Sequence, residues 1–149
     1  MKIDKILEDE SAKLGGFGGF IGGGVAGATG GAIGAKIGAS MLPTVTYQHS
    51  LIYMSSLENA IKAVNNSIVT SGGYKKMLDA DKNSQIPMFS AIIGSGLLNL
   101  NPAVVCVTVE YINETRVNIC ITGHAKEGLI KQKTAQKAVL RIAENLESV

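Results

Sequence analysis

The sequence predicts an α+β protein, in which a glycine-rich N-terminal helix or helical hairpin precedes an antiparallel sheet of four or five strands packed on two helices. Two observations predict this division. Twelve of the 18 glycines fall between Gly15 and Gly38, whereas from residue 44 onward apolar residues alternate with polar ones in some segments and recur with helical spacing in others. The 106 residues from 44 to 149 are enough to bury a single core.

The composition excludes several classes of protein. A formal net charge of +2 is too small for a typical nucleic-acid-binding domain, which carries a strongly basic face. Cys106 and Cys120 cannot form a disulfide framework, and both lie in apolar runs where a buried free thiol is common. Acidic residues among the first ten interrupt the apolar region that a signal peptide needs, so we expect synthesis in the cytoplasm without export.

The first 14 residues predict a short amphipathic helix. Ile3, Ile6, Leu7 and Leu14 fall near one side of it, and charged residues occupy the rest. Such a helix either docks on an apolar surface or lies on a membrane.

The 22 residues from Leu14 to Ala35 carry no charge, and a helix of that length, about 33 Å, is long enough to cross a bilayer core. Eleven of the 22 are glycine, which makes a poor isolated helix. Small residues recur every four positions in two adjacent rows, a spacing that lets two helix backbones approach closely. The first row is Gly15, Gly19, Gly23, Gly27, Gly31, Ala35 and Ala39, and the second is Gly18, Gly22, Ala26, Gly30, Gly34 and Gly38.

The large apolar residues of this segment form its predicted membrane-facing side. They are Phe17, Phe20, Ile21, Val25, Ile33 and Ile37. Two geometries fit the pattern: a single span with Lys36 at the membrane boundary, or a re-entrant hairpin that bends near Thr29-Gly30-Gly31. In the hairpin, two half-length helices pack on each other through the same rows. Pro43 ends the helical segment in either case.

From Gly15 to Met41 the sequence resembles the glycine-zipper membrane segments found in many small bacterial envelope and pore-forming proteins. The resemblance implies that this segment enters a membrane and assembles with copies of itself. The alternative is a soluble self-assembling structural protein, a ring, shell or filament, in which the glycine segment is buried between subunits. It rests on the low hydrophobicity of a segment that is nearly half glycine.

The rest of the chain predicts the order strand, helix, three or four strands, helix. Residues 44–54 alternate as a strand, and Ser55 with Glu58 predicts a capping box for a helix that ends at Gly72-Gly73. A short strand near 74–78, a polar turn over 79–85 and a strand over 86–93 follow, with turns at 94–96 and 99–102.

The clearest element is a β-hairpin whose two strands share one buried face across a turn at 113–115. A final helix is predicted from about 129 to 147. This order, with the stretch from Ala125 to Gln132, resembles uncharacterised bacterial α+β domains that often follow a membrane segment, a resemblance that brings no catalytic residues with it.

Few residues are candidates for chemistry. His49 and His124 lie in or at the end of predicted strands, and the clustered spacings of zinc ligands are missing from the sequence. Cys106 and Cys120 are diagonal neighbours on one predicted sheet face, with His124 near by. A metal or thiol site would be sought there, and an ordinary half-exposed sheet face is the other interpretation. We predict no catalytic residues, no metal and no cofactor.

Cations accompany the last helix, and they would either contact an anionic lipid surface or form a solvated face. They are Lys126, Lys131, Lys133, Lys137 and Arg141. Aromatic residues that stack on bases are lacking around them, which disfavours nucleic acid.

These inferences predict a non-enzymatic, membrane-associated protein that self-assembles through its glycine rows as a pore, an anchor or a scaffold. A lead-in helix over 1–14 precedes the glycine segment over 15–43, and a soluble α+β domain over 44–149 positions or regulates the assembly from the cytoplasm. The expected partners are a membrane and further copies of the chain. The sequence indicates no small-molecule ligand.

Overall fold

The computed structural model describes residues 3–75, 86–95, 101–128 and 131–148. Its elements follow the predicted order and confirm the α+β class. They are α1 Ile3–Met41, β1 Thr44–Tyr53, α2 Leu57–Thr70, β2 Tyr74–Lys75, β3 Met88–Ser95, β4 Asn101–Asn113, β5 Arg116–Lys126 and α3 Thr134–Glu147.

The strands form one five-stranded antiparallel sheet in the order β1-β5-β4-β3-β2. Its centre is the long β4-β5 hairpin, which turns at Glu114-Thr115 and has an irregular register beside Ile112. The Asn113 side chain accepts a hydrogen bond from the backbone N–H of Thr115 (3.1 Å), which stabilises the turn. β1 is therefore one edge of the sheet, and β2 is the other.

The helices α2 and α3 cover one face of the sheet, as predicted. Side chains alternate along a strand, so the odd-numbered residues of β4 and β5 point toward these helices. Gly123 of β5 lets α3 approach closely, since a methyl group there would lie 2.7 Å from Cγ2 of Val139. The core includes Val105, Val107, Val109, Val117, Ile119 and Ile121 from the sheet and Val64, Ile68, Val139, Ile142 and Leu146 from the helices.

The helical segment α1 is a hairpin of two antiparallel arms. Backbone angles leave the helical range at Gly23 (φ −147°, ψ 16°) and Gly24 (φ 62°, ψ −148°), so the arms span 3–22 and 25–41. The positive φ of Gly24 is one that glycine adopts without strain. The bend expected near Thr29-Gly30-Gly31 is wrong: Thr29 lies inside the second arm, where its hydroxyl donates to the carbonyl of Val25 (3.2 Å).

The start of the first arm docks on the sheet face opposite to α2 and α3. Ile6 and Leu7 are buried there against Ile92 of β3 and Val104 of β4. Of the two roles expected for the amphipathic lead-in, the structure has docking on an apolar surface. The lead-in continues into the glycine segment as one helical arm, so no boundary separates the two at residue 14.

The cap of α2 differs from the prediction. Ser56, rather than Ser55, lies at the N-cap, and its hydroxyl accepts from the backbone N–H of Asn59 (3.4 Å). Glu58 pairs with Lys62 (2.7 Å), one turn along the helix, instead of closing a capping box. At the other end of α2, Gly72 has φ 75° and Gly73 donates to the carbonyl of Ile68, which agrees with the predicted glycine stop.

Two other boundaries also differ from the prediction. Strands β3 and β4 pair as far as Ser95 and Asn101, so residues 94, 95, 101 and 102 of the expected turns belong to strands. The other residues of those turns, 96, 99 and 100, lie outside the described part. α3 begins at Thr134, later than expected, because the buried carboxylate of Glu127 accepts the backbone N–H of Thr134 (2.6 Å) and fixes that end of the helix. The predicted strand near 74–78 is present at 74–75, and the remaining residues to 85 lie outside the described part.

Candidate functional site

The first glycine row forms the contact between the two arms of the hairpin. A methyl group at Gly19 would overlap the carbonyl oxygen of Gly27, and one at Gly27 would overlap the carbonyl oxygen of Gly19. Gly15 and Gly31 block each other in the same way, and Ala35 closes the row. The two backbones therefore touch directly, and this contact is available only to glycine. Gly23, placed in this row by its spacing, lies at the bend instead.

The second glycine row lies on one open side of the hairpin. A methyl group at Gly18, Gly22, Gly30, Gly34 or Gly38 would have no atom within 4 Å. The two arms are antiparallel. On each arm, the residue three positions after a contact residue lies on one side of the hairpin, the same side for both arms. The residue one position after a contact residue lies on the opposite side of the hairpin. Gly16 shows the second case, since a methyl group there would lie 3.3 Å from Cβ of Ala32. The five open glycines therefore form one smooth surface across both arms.

The large apolar residues of the hairpin point away from the arm-to-arm contact and are exposed. Ile21 is 72% exposed and Val25 is 78% exposed, beside the bend. All six residues of the predicted membrane-facing side belong to this set: Phe17, Phe20, Ile21, Val25, Ile33 and Ile37. We call the residues from 14 to 35 the hairpin tip.

Charged residues bound the tip at its base. Lys36 of the second arm pairs with Asp9 of the first (2.6 Å), and Lys13 pairs with Glu10 (2.7 Å). The hydrogen bond from Lys36 to Asp9 raises the pKa of the Lys36 ammonium above its ordinary value, so the ammonium stays charged. These four residues, the charged belt, sum to zero formal charge and mark where the uncharged tip begins.

A polar cluster attaches the base of the hairpin to the sheet. Asp4 pairs with Lys126 (2.9 Å), the last residue of β5, and also accepts a hydrogen bond from the hydroxyl of Thr44 at the start of β1. These contacts, the Thr44 bond first, lower the pKa of the Asp4 carboxyl. His124 lies two residues before Lys126 in β5. Its Nδ1 atom is 3.0 Å from the hydroxyl oxygen of Thr46. Burial lowers the pKa of His124, and the nearby charge of Asp4 opposes that shift.

The five predicted lipid-contacting cations do not share one surface. Lys126 lies in β5, is largely buried and is neutralised by Asp4. Lys131 and Lys133 precede α3, while Lys137 and Arg141 lie on it and are exposed. Because α3 covers the sheet face opposite to the hairpin, Lys137 and Arg141 lie on a different side of the sheet from the tip.

The face with the two cysteines has the predicted arrangement. Cys106 pairs with Thr122 and Thr108 pairs with Cys120, so the cysteines are diagonal neighbours on the sheet face that α1 partly covers. Both are free thiols, and burial raises the pKa of Cys106, which disfavours the reactive thiolate. The Gln48 amide lies 3.2 Å from the sulfur of Cys120. Among the described residues, no group of three or more His, Cys, Asp or Glu side chains is placed to hold a metal ion.

A cavity of about 250 Å³ separates the hairpin from the beginning of β4. Its polar groups have partners: Ser11 donates to the carbonyl of Leu7 (2.8 Å), Lys126 pairs with Asp4, and Asn101 donates to Gln132. The remaining lining is formed by small or aliphatic residues of the hairpin. The cavity is thus a packing gap at the junction, without an arrangement of groups for acid-base or nucleophilic chemistry among its described lining residues.

Within the described ranges, no helix has the length and the apolar composition needed to cross a membrane. The hairpin replaces the single-span geometry that the sequence left open.

Comparison with known proteins gives little further information. The chain matches no protein-family model and no curated protein. A crystal structure of the Mll3558 protein from Rhizobium loti is distantly similar, with a TM-score of 0.39 and 11% sequence identity. The similarity covers 72% of this chain and 97% of that one.

Proposed function

We propose that the protein is a non-enzymatic membrane anchor whose hairpin tip enters one leaflet of a bilayer, with the α+β domain held in the cytoplasm. The observation that carries this proposal is the exposed apolar tip bounded by the charged belt. Exposed apolar patches of this kind mark surfaces that meet a membrane or another protein.

The length of the tip fits half of a bilayer. Its arms, 14–22 and 25–35, are about 14 and 16 Å long at 1.5 Å per residue, and a hydrocarbon core is about 30 Å thick. The belt would then lie at the level of the lipid headgroups, where charged side chains are tolerated. Backbone angles of α1 leave the helical range only at Gly23 and Gly24, so the backbone groups of the tip that lack a partner in their own arm are confined to the bend.

The charged belt also indicates how the protein binds. Because its charges cancel, apolar burial rather than attraction to anionic lipid would drive insertion. The exposed cations on α3, Lys137 and Arg141, lie on the other side of the sheet from the tip and do not add to this contact. We therefore expect similar binding to zwitterionic and anionic vesicles and little effect of salt.

The second glycine row supports self-assembly within the membrane. Its five glycines are open and lie on one side of the hairpin, where the backbone of another copy can approach as closely as the two arms approach each other. The first row is already used within the chain. The proposed contact within the membrane is therefore the surface of Gly18, Gly22, Gly30 and Gly34, and Gly38 continues this row on the base side of the charged belt.

Vesicle flotation of the full-length protein tests insertion, with exposure-matched variants. Ile21→Asp and Phe17→Asp place a charge in the tip at residues that are 72% and 62% exposed, and both should abolish flotation. Met54→Asp and Tyr111→Asp change domain residues that are 70% and 60% exposed, and both should float like the wild type. Equal flotation of all four variants would contradict the proposal.

Chemical cross-linking on vesicles tests the assembly contact. Gly30→Leu with Gly34→Leu fills the open surface and should reduce the size of the cross-linked oligomers while flotation continues. Ile33→Leu changes a neighbouring exposed residue without filling that surface and serves as the control. Unchanged cross-linking in the glycine variant would exclude the second row as the contact.

A soluble multimer is the second candidate, because the same exposed residues would be buried between subunits. It predicts a large particle in detergent-free buffer that does not float with vesicles. In that case Ile21→Asp would dissociate the particle, and Tyr111→Asp would not.

A further inference from the structure

The free edge of β1 is unusually open to pairing with another strand. It has ten residues, with no charged residue, no proline and no break in its register with β5. Natural sheet edges are usually protected by charge, proline, a bulge or short length. The other edge strand, β2, has a lysine, Lys75, among its two described residues, in keeping with this rule. β1 does not follow the rule.

Two hydrogen bonds determine which backbone groups of β1 point outward. Glu127 N–H donates to the carbonyl of Pro43 (3.2 Å), which makes this a hydrogen-bonded pair of the β1-β5 ladder. Val109 N–H donates to the carbonyl of Pro87 (3.1 Å), which makes these two residues a hydrogen-bonded pair of the β3-β4 ladder. Followed through β4 and β5, the alternation of such pairs leads to the same hydrogen-bonded pairs between β1 and β5. Since such pairs alternate in an antiparallel ladder, odd-numbered residues of β1 bond to β5. The outward residues are Thr44, Thr46, Gln48, Ser50 and Ile52.

Within the described ranges, no backbone hydrogen bond from another element reaches these outward groups. We infer that β1 pairs in antiparallel register with β1 of a second copy about a two-fold axis at Gln48. This register places Gln48 opposite Gln48, Thr46 opposite Ser50 and Thr44 opposite Ile52, so every outward residue gains a partner. Each such pair exchanges two N–H···O=C bonds. An axis at His49 would place Thr44 opposite Met54, which is outside the strand.

The side chains are compatible with the same register. On the face toward the helices, Val45 lies opposite Leu51 and Tyr47 lies opposite His49, which are aliphatic and aromatic cross-strand pairs. Val45 is 40% exposed in the single chain. Because β1 carries no Asp, Glu, Lys or Arg, a second copy brings no like charge against it.

The side of α3 nearest the β1 edge is also compatible with the approach of a second copy. Arg141 donates to the carbonyl of Ser71 (3.4 Å) and Asn145 donates to its hydroxyl (2.9 Å), so this flank of α3 faces the end of α2. At 100° per residue the opposite flank, toward the β1 edge, carries Gln136, Leu140 and Ala143, with Glu147 at the C-terminal end of the helix. The exposed cation Arg141 therefore does not face the second copy.

The strand pairing does not depend on the membrane proposal, because it uses the domain and none of the hairpin residues. It is compatible with that proposal. The two-fold axis is perpendicular to the sheet, so both hairpins would dock on the same face of the joined sheet and both tips could reach one bilayer.

Disulfide trapping tests the register in full-length protein in which Cys106 and Cys120 are replaced by serine. Gln48→Cys places the two new thiols opposite each other, with Cα atoms about 5.5 Å apart, within disulfide range. Thr46→Cys is the matched control, since its two copies would lie four residues apart along the strands, about 13 Å. We expect at least tenfold more disulfide dimer for Gln48→Cys. Equal trapping at both positions would overturn the register.

A charge swap tests whether the contact forms between wild-type backbones. Gln48→Lys and Gln48→Glu each place like charges at the axis and should shift the protein in mild detergent from dimer to monomer, or to smaller oligomers. Mixing the two variants should restore the larger species. Failure of the mixture to regain mass, or an unchanged mass for each variant alone, would exclude β1 pairing. The flotation of these variants stays a separate measurement of the hairpin.

Discussion

In the hairpin the backbone makes the internal contacts and the large side chains point outward, whereas in the domain large side chains fill the interior. Gly19 touches Gly27 in the first case, and Ile119 and Ile142 are fully buried in the second. Adding atoms should therefore damage the inside of the hairpin, and removing atoms should damage the inside of the domain. The difference supports the proposal that other apolar material covers the outside of the hairpin.

The largest expected effect is on the domain. Ile142→Ala leaves a cavity between α3 and the sheet, so the free energy of unfolding should fall by about 2–5 kcal/mol. Ile21→Ala removes similar atoms from the exposed tip and should leave domain unfolding unchanged. Urea denaturation followed by circular dichroism measures both, and equal losses would contradict the contrast.

The next effect separates two adjacent glycines of the hairpin. Gly19→Ala forces a methyl group against the carbonyl of Gly27, and overpacking of this kind costs about 1–3 kcal/mol. Gly18→Ala has open space and should instead gain up to about 1 kcal/mol of helix stability. Hydrogen exchange of arm amides reports both changes, and the same sign for the two variants would disprove the arm-to-arm contact.

A smaller effect concerns how the domain begins a helix through a side chain. Glu127→Ala removes the acceptor for the N–H of Thr134 and should cost about 0.5–2 kcal/mol, the usual range for losing an N-terminal cap. Glu114→Ala, in the exposed β4-β5 turn, is the control. Thermal unfolding compares the two, and a loss no larger than that of the control would exclude the capping role.

The smallest effect is a pH dependence where the two regions meet. The pKa of His124 is lowered from its ordinary 6.5, so the unfolded chain binds more protons, and stability should fall as pH drops below about 6.5. The pKa of Asp4 is lowered from 3.8, so its contribution is present above that value and lost as pH falls further. Unfolding measured from pH 7 to 5 should vary less in His124→Gln, while Asp4→Asn removes the charge that opposes the lowering of the His124 pKa and should steepen the dependence.

The sequence predicted the order of the strands and helices because apolar periodicity is strong in β1, β4, β5 and α2. It also predicted both glycine rows, the exposed apolar residues and the shared face of the cysteines. The bend was misplaced because several glycine pairs fit a reversal, and only the packing of Gly15 and Gly19 on Gly31 and Gly27 selects Gly23-Gly24.

Other features were not predictable from local pattern. Asp4 lies 40 positions from Thr44 and far along the chain from Lys126. Periodicity contains no signal for either contact. The start of α3 depends on Glu127, which reaches across a loop to Thr134. The sequence could have indicated docking of the first arm through Ile6 and Leu7, which the amphipathic pattern already placed on one side.

Depth measurement by tryptophan fluorescence tests most directly whether the hairpin tip enters a leaflet. The chain contains no tryptophan, so Ile21→Trp gives a single reporter in the tip and Tyr111→Trp gives one in the domain. With vesicles, the emission of Ile21→Trp should shift to the blue and be quenched by lipids with brominated acyl chains, while Tyr111→Trp stays unchanged. An unshifted, unquenched Ile21→Trp in the presence of vesicles would contradict membrane insertion.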